Sequence, residues 1–92
     1  MALTITEQNN VFLIQGHINK TTVIRFKNHL ECLLLYSQQL VIDINEVKEI
    51  DASGMSALQA LYTYAIIHNK TFYVVGTGCK EIQEHFEYNH AA

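Results

Sequence analysis

Asp51, Ser53 and Gly54 stand together in Ile50-Asp51-Ala52-Ser53-Gly54-Met55, shortly after the β-branched run Leu40-Val41-Ile42-Asp43-Ile44. Ser53 falls where the N-cap of a following amphipathic helix would stand. Its hydroxyl can there accept from the free amides of the first turn. Such a cap is worth about 1 kcal/mol and needs no further role. The same position admits a second chemistry. A helix N-terminus favours negative charge through its amides and dipole, and a phosphoryl group on Ser53 would add roughly −1.5 to −2 charges. Asp51 would repel that group, turning the local surface sharply acidic, which suits making or breaking a partner contact. Gly54 removes side-chain bulk beside the hydroxyl. A cap alone and a phosphoacceptor are both consistent with these residues.

The other chemistry-bearing residues do not converge. Of His17, His29, His68, His85 and His90, only the last two are near each other in sequence, so no metal-ligand set is expected. Cys32 and Cys79 are far apart in sequence and suggest no disulfide framework. Gly76-Thr77-Gly78 has Glu81 where a dinucleotide loop needs its third glycine, so it reads as a turn. Asp51 occupies the position two before Ser53 where a nucleophile elbow needs glycine. Asp43, ending an apolar run, reads as a turn or cap residue. No catalytic residue, metal or cofactor is expected, and the chain reads as a binding module without enzyme activity.

The elements that must position Ser53 follow from the apolar pattern. Leu3 and Ile5, then Val11-Phe12-Leu13-Ile14, predict a hairpin turning at Glu7-Gln8-Asn9-Asn10, with Gly16 closing its second strand or letting another backbone come close. Thr21 or Thr22 can cap a helix whose stripe is Val23, Phe26, Leu30, Leu33 and Leu34. Leu40–Ile44 predicts a buried strand, and Asn45 to Glu49 a polar connection. A second helix starts near Ser53, with Met55, Leu58, Leu61, Tyr62, Ala65 and Ile66 on one face, and ends at Asn69. Tyr64 points away from that face, where it could meet a partner. Thr71–Val75 is a strand stopped by Gly76. Lys80 to Tyr88 holds a last helix with Ile82 and Phe86 four apart, and the tail to Ala92 frays. Strands alternating with helices imply a parallel sheet, and the opening hairpin adds an antiparallel edge. The expectation is a mixed α/β sheet of four or five strands, with helices mainly on one side. Its exposed edge strand leaves room for a homodimer.

Composition bounds the function classes. The chain has 92 residues, 49 % hydrophobic and 16 % charged, which suits one globular domain over 1–92 and excludes disorder. A net charge of −3 gives no footprint for nucleic acid or an anionic membrane. Apolar stretches such as Cys32 to Tyr36 fall short of the roughly 20 residues a membrane span needs. Met1 to Thr6 lacks the basic start and long apolar run of a signal peptide, and with only Cys32 and Cys79 and no disulfide framework a reducing cytoplasm is the expected location. A core this thin favours a binding or switch module over a deep-pocketed enzyme.

The string Leu40 to Leu58 resembles the core motif of STAS domains, the bacterial anti-sigma factor antagonists and their relatives. They carry an apolar strand ending in Asp, a short gap, then Asp-Ser-Ser-Gly-Leu or a close variant opening a helix. Phe12-Leu13-Ile14-Gln15-Gly16-His17-Ile18 is similar to the family's early strand, and Phe72-Tyr73-Val74-Val75-Gly76 to its late strand and turn. The resemblance implies a STAS-like fold and makes Ser53, the serine before glycine, the phosphoacceptor. It implies a transcription-regulating partner switch. The unphosphorylated form binds a serine-kinase anti-sigma factor and frees the sigma factor. Phosphorylation breaks the complex, and a PP2C-type phosphatase resets it. Asp51, Ala52, Ser53, Gly54, Met55 and Asn19 would form the partner surface, widened by Ile18, Lys20 and Thr21. Two departures stand out. Ala52 replaces the first serine of the commonest motif. Ile18-Asn19 occupies the place where members often carry an Asp. Ser56, a second hydroxyl on the first turn, reads as a helix residue. The alternative is a small subunit of a lipid-trafficking ABC transporter, where relatives dock the same helix end on the ATPase without phosphorylation.

Overall fold

A computed structural model describes residues 3–86. β1 (Leu3–Gln8) and β2 (Val11–Ile18) form the expected hairpin, but Glu7 and Gln8 extend β1 instead of lying in the turn, and β2 runs past Gly16, which sits within the strand at φ 108°. Asn9 and Asn10 sit at φ 56° and 67°, the left-handed pair that a two-residue type I′ turn demands and asparagine tolerates. There follow α1 (Val23–Tyr36), β3 (Gln39–Ile50), α2 (Ala52–Ile67), β4 (Thr71–Val75) and α3 (Lys80–Phe86). The four strands lie in the order β1-β2-β3-β4. β1 runs antiparallel to β2, while β2–β3 and β3–β4 are parallel.

One face of the sheet carries the core. Leu40, Ile42 and Ile44 of β3 are buried, and Val41 and Asp43 between them are only half-buried. Phe26, Leu30 and Leu34 of α1 pack with Leu58, Leu61 and Ala65 of α2 over that buried side. Each fully buried Leu or Phe among these contributes about 1.5–3 kcal/mol. The helices thus lie mainly on one side of a mixed sheet. Among the described residues no helix is long and apolar enough to cross a membrane.

Three further expectations are corrected. Asn45 to Glu49 is not a connection, because β3 runs through it to Ile50. The strand keeps pairing with β2 across two register shifts, between Leu13 and Gln15 and between Gly16 and His17. Each inserts a residue into β3 and breaks the apolar alternation that marks a strand. Asp43 supports the first bulge by accepting from the Asn45 amide at 2.8 Å. Ile66 leaves the core face and is 57 % exposed, because the small residues Gly54 and Ala57 rotate the buried stripe of α2 away from it. Tyr64, three residues after buried Leu61, turns inward instead, packing against the core and stacking on His68 at 4.1 Å between ring centroids.

The remaining punctuation follows the residue types. Asn69 ends α2 at φ 58° and Gly76 ends β4 at φ 101°. Gly78 lies against the Ile44 and Asn45 carbonyls, where any side chain would collide, and the Thr77 amide donates to Asn45 Oδ1 at 2.9 Å. Ile82 fixes α3 to the core. The expectations for Tyr88, His90 and the tail to Ala92, and for the side chains of His85 and Phe86, lie outside the described residues.

Candidate functional site

The site lies at the pole where parallel β2 and β3 end. β2 passes into the loop 19–22 before α1, and β3 passes through Asp51 into α2. Asp51 takes the cap position assigned above to Ser53. Its backbone is extended, at φ −102° and ψ −175°, because its amide still donates to the Ile18 carbonyl at 3.0 Å as the strand pairing ends. Its Oδ1 accepts from the Gly54 amide at 3.0 Å, and its Oδ2 from the Lys20 amide at 3.1 Å. One carboxylate therefore caps α2 and ties the β2–α1 loop to it. The Gly54 amide is the main influence holding the Asp51 carboxyl below its usual range. Partial desolvation opposes it, and the Lys20 amide and the Ser53 amide and hydroxyl add to it.

Ser53 is the second residue of α2, half-buried, with its hydroxyl turned back to the Asp51 carboxylate rather than to first-turn amides. Ala52 and Ser56 are exposed, and Met55 is half-buried against the core. Gly54 is a steric necessity. A Cβ there would sit 2.6 Å from Ile50 Cγ1, 2.7 Å from Ile18 Cγ2 and 2.8 Å from the Ile18 carbonyl oxygen. The first turn of α2 thus presses onto both strand ends, and Asp51 ties it to the β2–α1 loop.

That loop is held by its own polar side chains. Asn19 Oδ1 accepts from the Thr21 amide at 2.9 Å and the Thr21 hydroxyl at 2.7 Å. Thr22 stands at the cap position of α1 but caps nothing with its side chain. Its hydroxyl donates to the His17 carbonyl at 2.8 Å and accepts from the Asn19 amide at 3.0 Å. Asn19 therefore shapes the loop, its side-chain oxygen occupied by Thr21. Ile18 is fully buried and cannot widen a docking surface, whereas Lys20 and Thr21 are exposed. Sequence reading missed Ile24, 71 % exposed on the first turn of α1 at the same pole. An apolar residue out of phase with Val23, Phe26 and Leu30 was the available signal. Beside Asp51 runs a shallow crevice of about 230 Å³ whose walls include Glu49 and Glu81. Glu49 also lies 3.4 Å from His17 Nδ1.

The pole thus presents an acid-rimmed helix start carrying one half-buried serine, beside a fixed loop and an exposed isoleucine. Together with four mixed strands bearing their helices mainly on one face, this defines a mixed α/β domain of the SpoIIAA-like class. The STAS domain model matches residues 1–87, and the chain belongs to the STAS domain family. The fold is similar to the anti-sigma factor antagonist SpoIIAA in its unphosphorylated form, with a TM-score of 0.74 and 8 % identity, covering 97 % of this chain and 84 % of that one. The phosphorylated form of the Bacillus cell fate determinant SpoIIAA gives 0.70 at 9 % identity, covering 95 % and 82 %. An anti-sigma factor antagonist from Mycobacterium paratuberculosis gives 0.68 at 20 % identity, covering 94 % and 76 %. No curated protein matches the sequence.

Proposed function

We propose that this protein is a cytoplasmic partner-switching antagonist of a serine-kinase anti-sigma factor, without enzyme activity of its own. The observation that carries the reading is the placement of Ser53. It sits on the first turn of α2, half-buried and hydrogen-bonded to Asp51, at a pole with exposed Lys20, Thr21 and Ile24. The unphosphorylated form docks this pole on the kinase. The kinase then moves the γ-phosphoryl of ATP to Ser53 Oγ. The hydroxyl proton passes to a base of the kinase, and ADP leaves. The phosphoserine adds roughly −1.5 to −2 charges. The α2 amides tolerate that charge, so the domain stays folded. Asp51, Glu49 and Glu81 leave the pole strongly acidic, and the contact is lost. A PP2C-type phosphatase restores the hydroxyl.

The test is capture of a partner by wild-type, Ser53→Ala and Ser53→Glu baits, read by mass spectrometry and then by affinity on the purified pair. Wild type and Ser53→Ala are expected to retain a kinase-fold anti-sigma protein, and Ser53→Glu to bind it at least tenfold more weakly. Equal binding by the alanine and glutamate forms sinks the switch. Equal capture of an ABC ATPase by all three baits moves the protein to the transporter-subunit reading.

A further inference from the structure

β1 is an edge strand, and its outer rim is only partly guarded, by Glu7 within the strand and by Arg25 at the Leu3 carbonyl. Leu3–Gln8 contains no proline and no lysine, and its register with β2 is unbroken from Leu3 to Gln8. The two-residue hairpin closes on the pair Gln8 and Val11, which exchange hydrogen bonds in this turn type. By alternation, Thr4 and Thr6 also direct their amides and carbonyls inward to β2, whereas Leu3, Ile5 and Glu7 direct theirs outward. The Leu3 carbonyl accepts from Arg25 Nη2 at 3.0 Å, which agrees with that alternation.

The charges beside this rim are complementary and unmet. Arg25 and His29 of α1 form a groove of about 310 Å³ with Leu3, Thr4 and Ile5. Among the described residues, no ion pair is formed by Arg25 or by Glu7. Glu7 stands opposite Phe12, which packs against the core, so its side chain leaves the sheet on the α1 side, the side of Arg25.

We propose that β1 is a self-association surface. Two copies pair antiparallel about a two-fold axis at Ile5, and Glu7 of each copy meets Arg25 of the other. In this register Ile5 faces Ile5 as a hydrogen-bonded pair, Thr4 faces Thr6, and Leu3 faces Glu7. The outward backbone groups match, with the Leu3 carbonyl accepting the partner's Glu7 amide on its second lone pair beside the bond from Arg25, and the threonine pairs are favourable cross-strand neighbours. Arg25 keeps free N–H groups for the incoming carboxylate, and two four-stranded sheets become one of eight strands. β4, the opposite edge, is one residue shorter and carries no charged side chain within Thr71–Val75 to set a register.

The test is sedimentation velocity on the full chain over a concentration series reaching the high-micromolar range, for wild type, Glu7→Arg and Arg25→Glu. Wild type is expected to pass from monomer to dimer. Each reversal should weaken association about tenfold or more, because the two-fold axis repeats the repulsion twice. An equimolar mixture of the two variants should restore association. The arginine introduced in one copy then meets the glutamate introduced in the other, and the remaining native Glu7 meets the remaining native Arg25. Glu7 is exposed at the hairpin end, so Glu7→Arg still reports if Arg25→Glu, which loses the bond to Leu3, destabilises the fold. A monomer throughout, a dimer unmoved by Glu7→Arg, or a mixture no stronger than its folded components overturns the proposal.

Discussion

At the scale of single residues, Asp51 and Ser53 divide the work that the residue pattern assigns to Ser53 alone. The Asp51 carboxylate accepts from two backbone amides in different elements, and these bonds hold its pKa below the usual range. A folded-state pKa below the unfolded value stabilises the fold above the unfolded pKa, and that contribution is lost as pH falls through the folded one. Asp51→Asn should therefore unfold at lower urea than wild type at neutral pH, and the gap between their midpoints should close on acidification below about pH 4. Midpoints that coincide at neutral pH would remove Asp51 from its stitching role. Ser53→Ala, by contrast, should cost clearly less than the roughly 1 kcal/mol of a lost cap, since its hydroxyl caps no amide. The sequence could not settle this division. Aspartate and serine are both good caps two residues apart, and the choice falls to the strand bond from the Asp51 amide to Ile18, which keeps Asp51 extended.

At the scale of elements, what was legible was what repeats. The stripe of α1 and the strand Thr71–Val75 follow a period and stand where the residues place them, and the hairpin turn stands at Asn9-Asn10, the second half of the polar run Glu7–Asn10 that predicts it. The second half of β3 was not legible, because two bulges destroy its alternation and because it pairs only with β2 once β4 has ended. The seating of α2 was hidden as well. Gly54 reads in sequence only as relief of side-chain bulk beside the Ser53 hydroxyl, yet it is the point where the helix touches Ile18 and Ile50. Gly54→Ala would normally gain about 1 kcal/mol in helix propensity. Here its Cβ would collide with Ile18, which is fully buried and has no space to retreat into, and would strain the carbonyl that binds Asp51. Overpacking of this kind costs about 1–3 kcal/mol. The variant should therefore melt below wild type by several degrees, since each 1 kcal/mol shifts Tm by roughly 4–8 °C in a domain this size. A melting temperature at or above that of wild type would mean that the helix start can shift without cost.

At the scale of the whole molecule, the two surfaces lie on different parts of one frame. α2 packs on β3 and β4, while β1 closes the opposite edge of the sheet. Pairing through β1 therefore leaves the start of α2, with Ser53, open in each copy, while the partner's Glu7 comes to Arg25, the neighbour of Ile24 on the first turn of α1. The frame also dictates which backbone amides water can reach. Residues 12–16 of β2 and Ile42 and Asp43 of β3 lie where strands pair on both sides, so their amides should exchange most slowly, near the rate set by global unfolding. Within β1 the alternation should be visible residue by residue. Thr4 and Thr6 bond inward to β2 and should be protected at any concentration. Ile5 and Glu7 face outward and should exchange freely in dilute protein, then gain protection as concentration rises. In Glu7→Arg, the amide of Ile5 should remain unprotected at concentrations where it is protected in wild type. Hydrogen exchange read at single amides by NMR distinguishes this pattern from association through β4 or the open sheet face. Either of those would leave Ile5 exchanging freely while the sedimentation coefficient still rose.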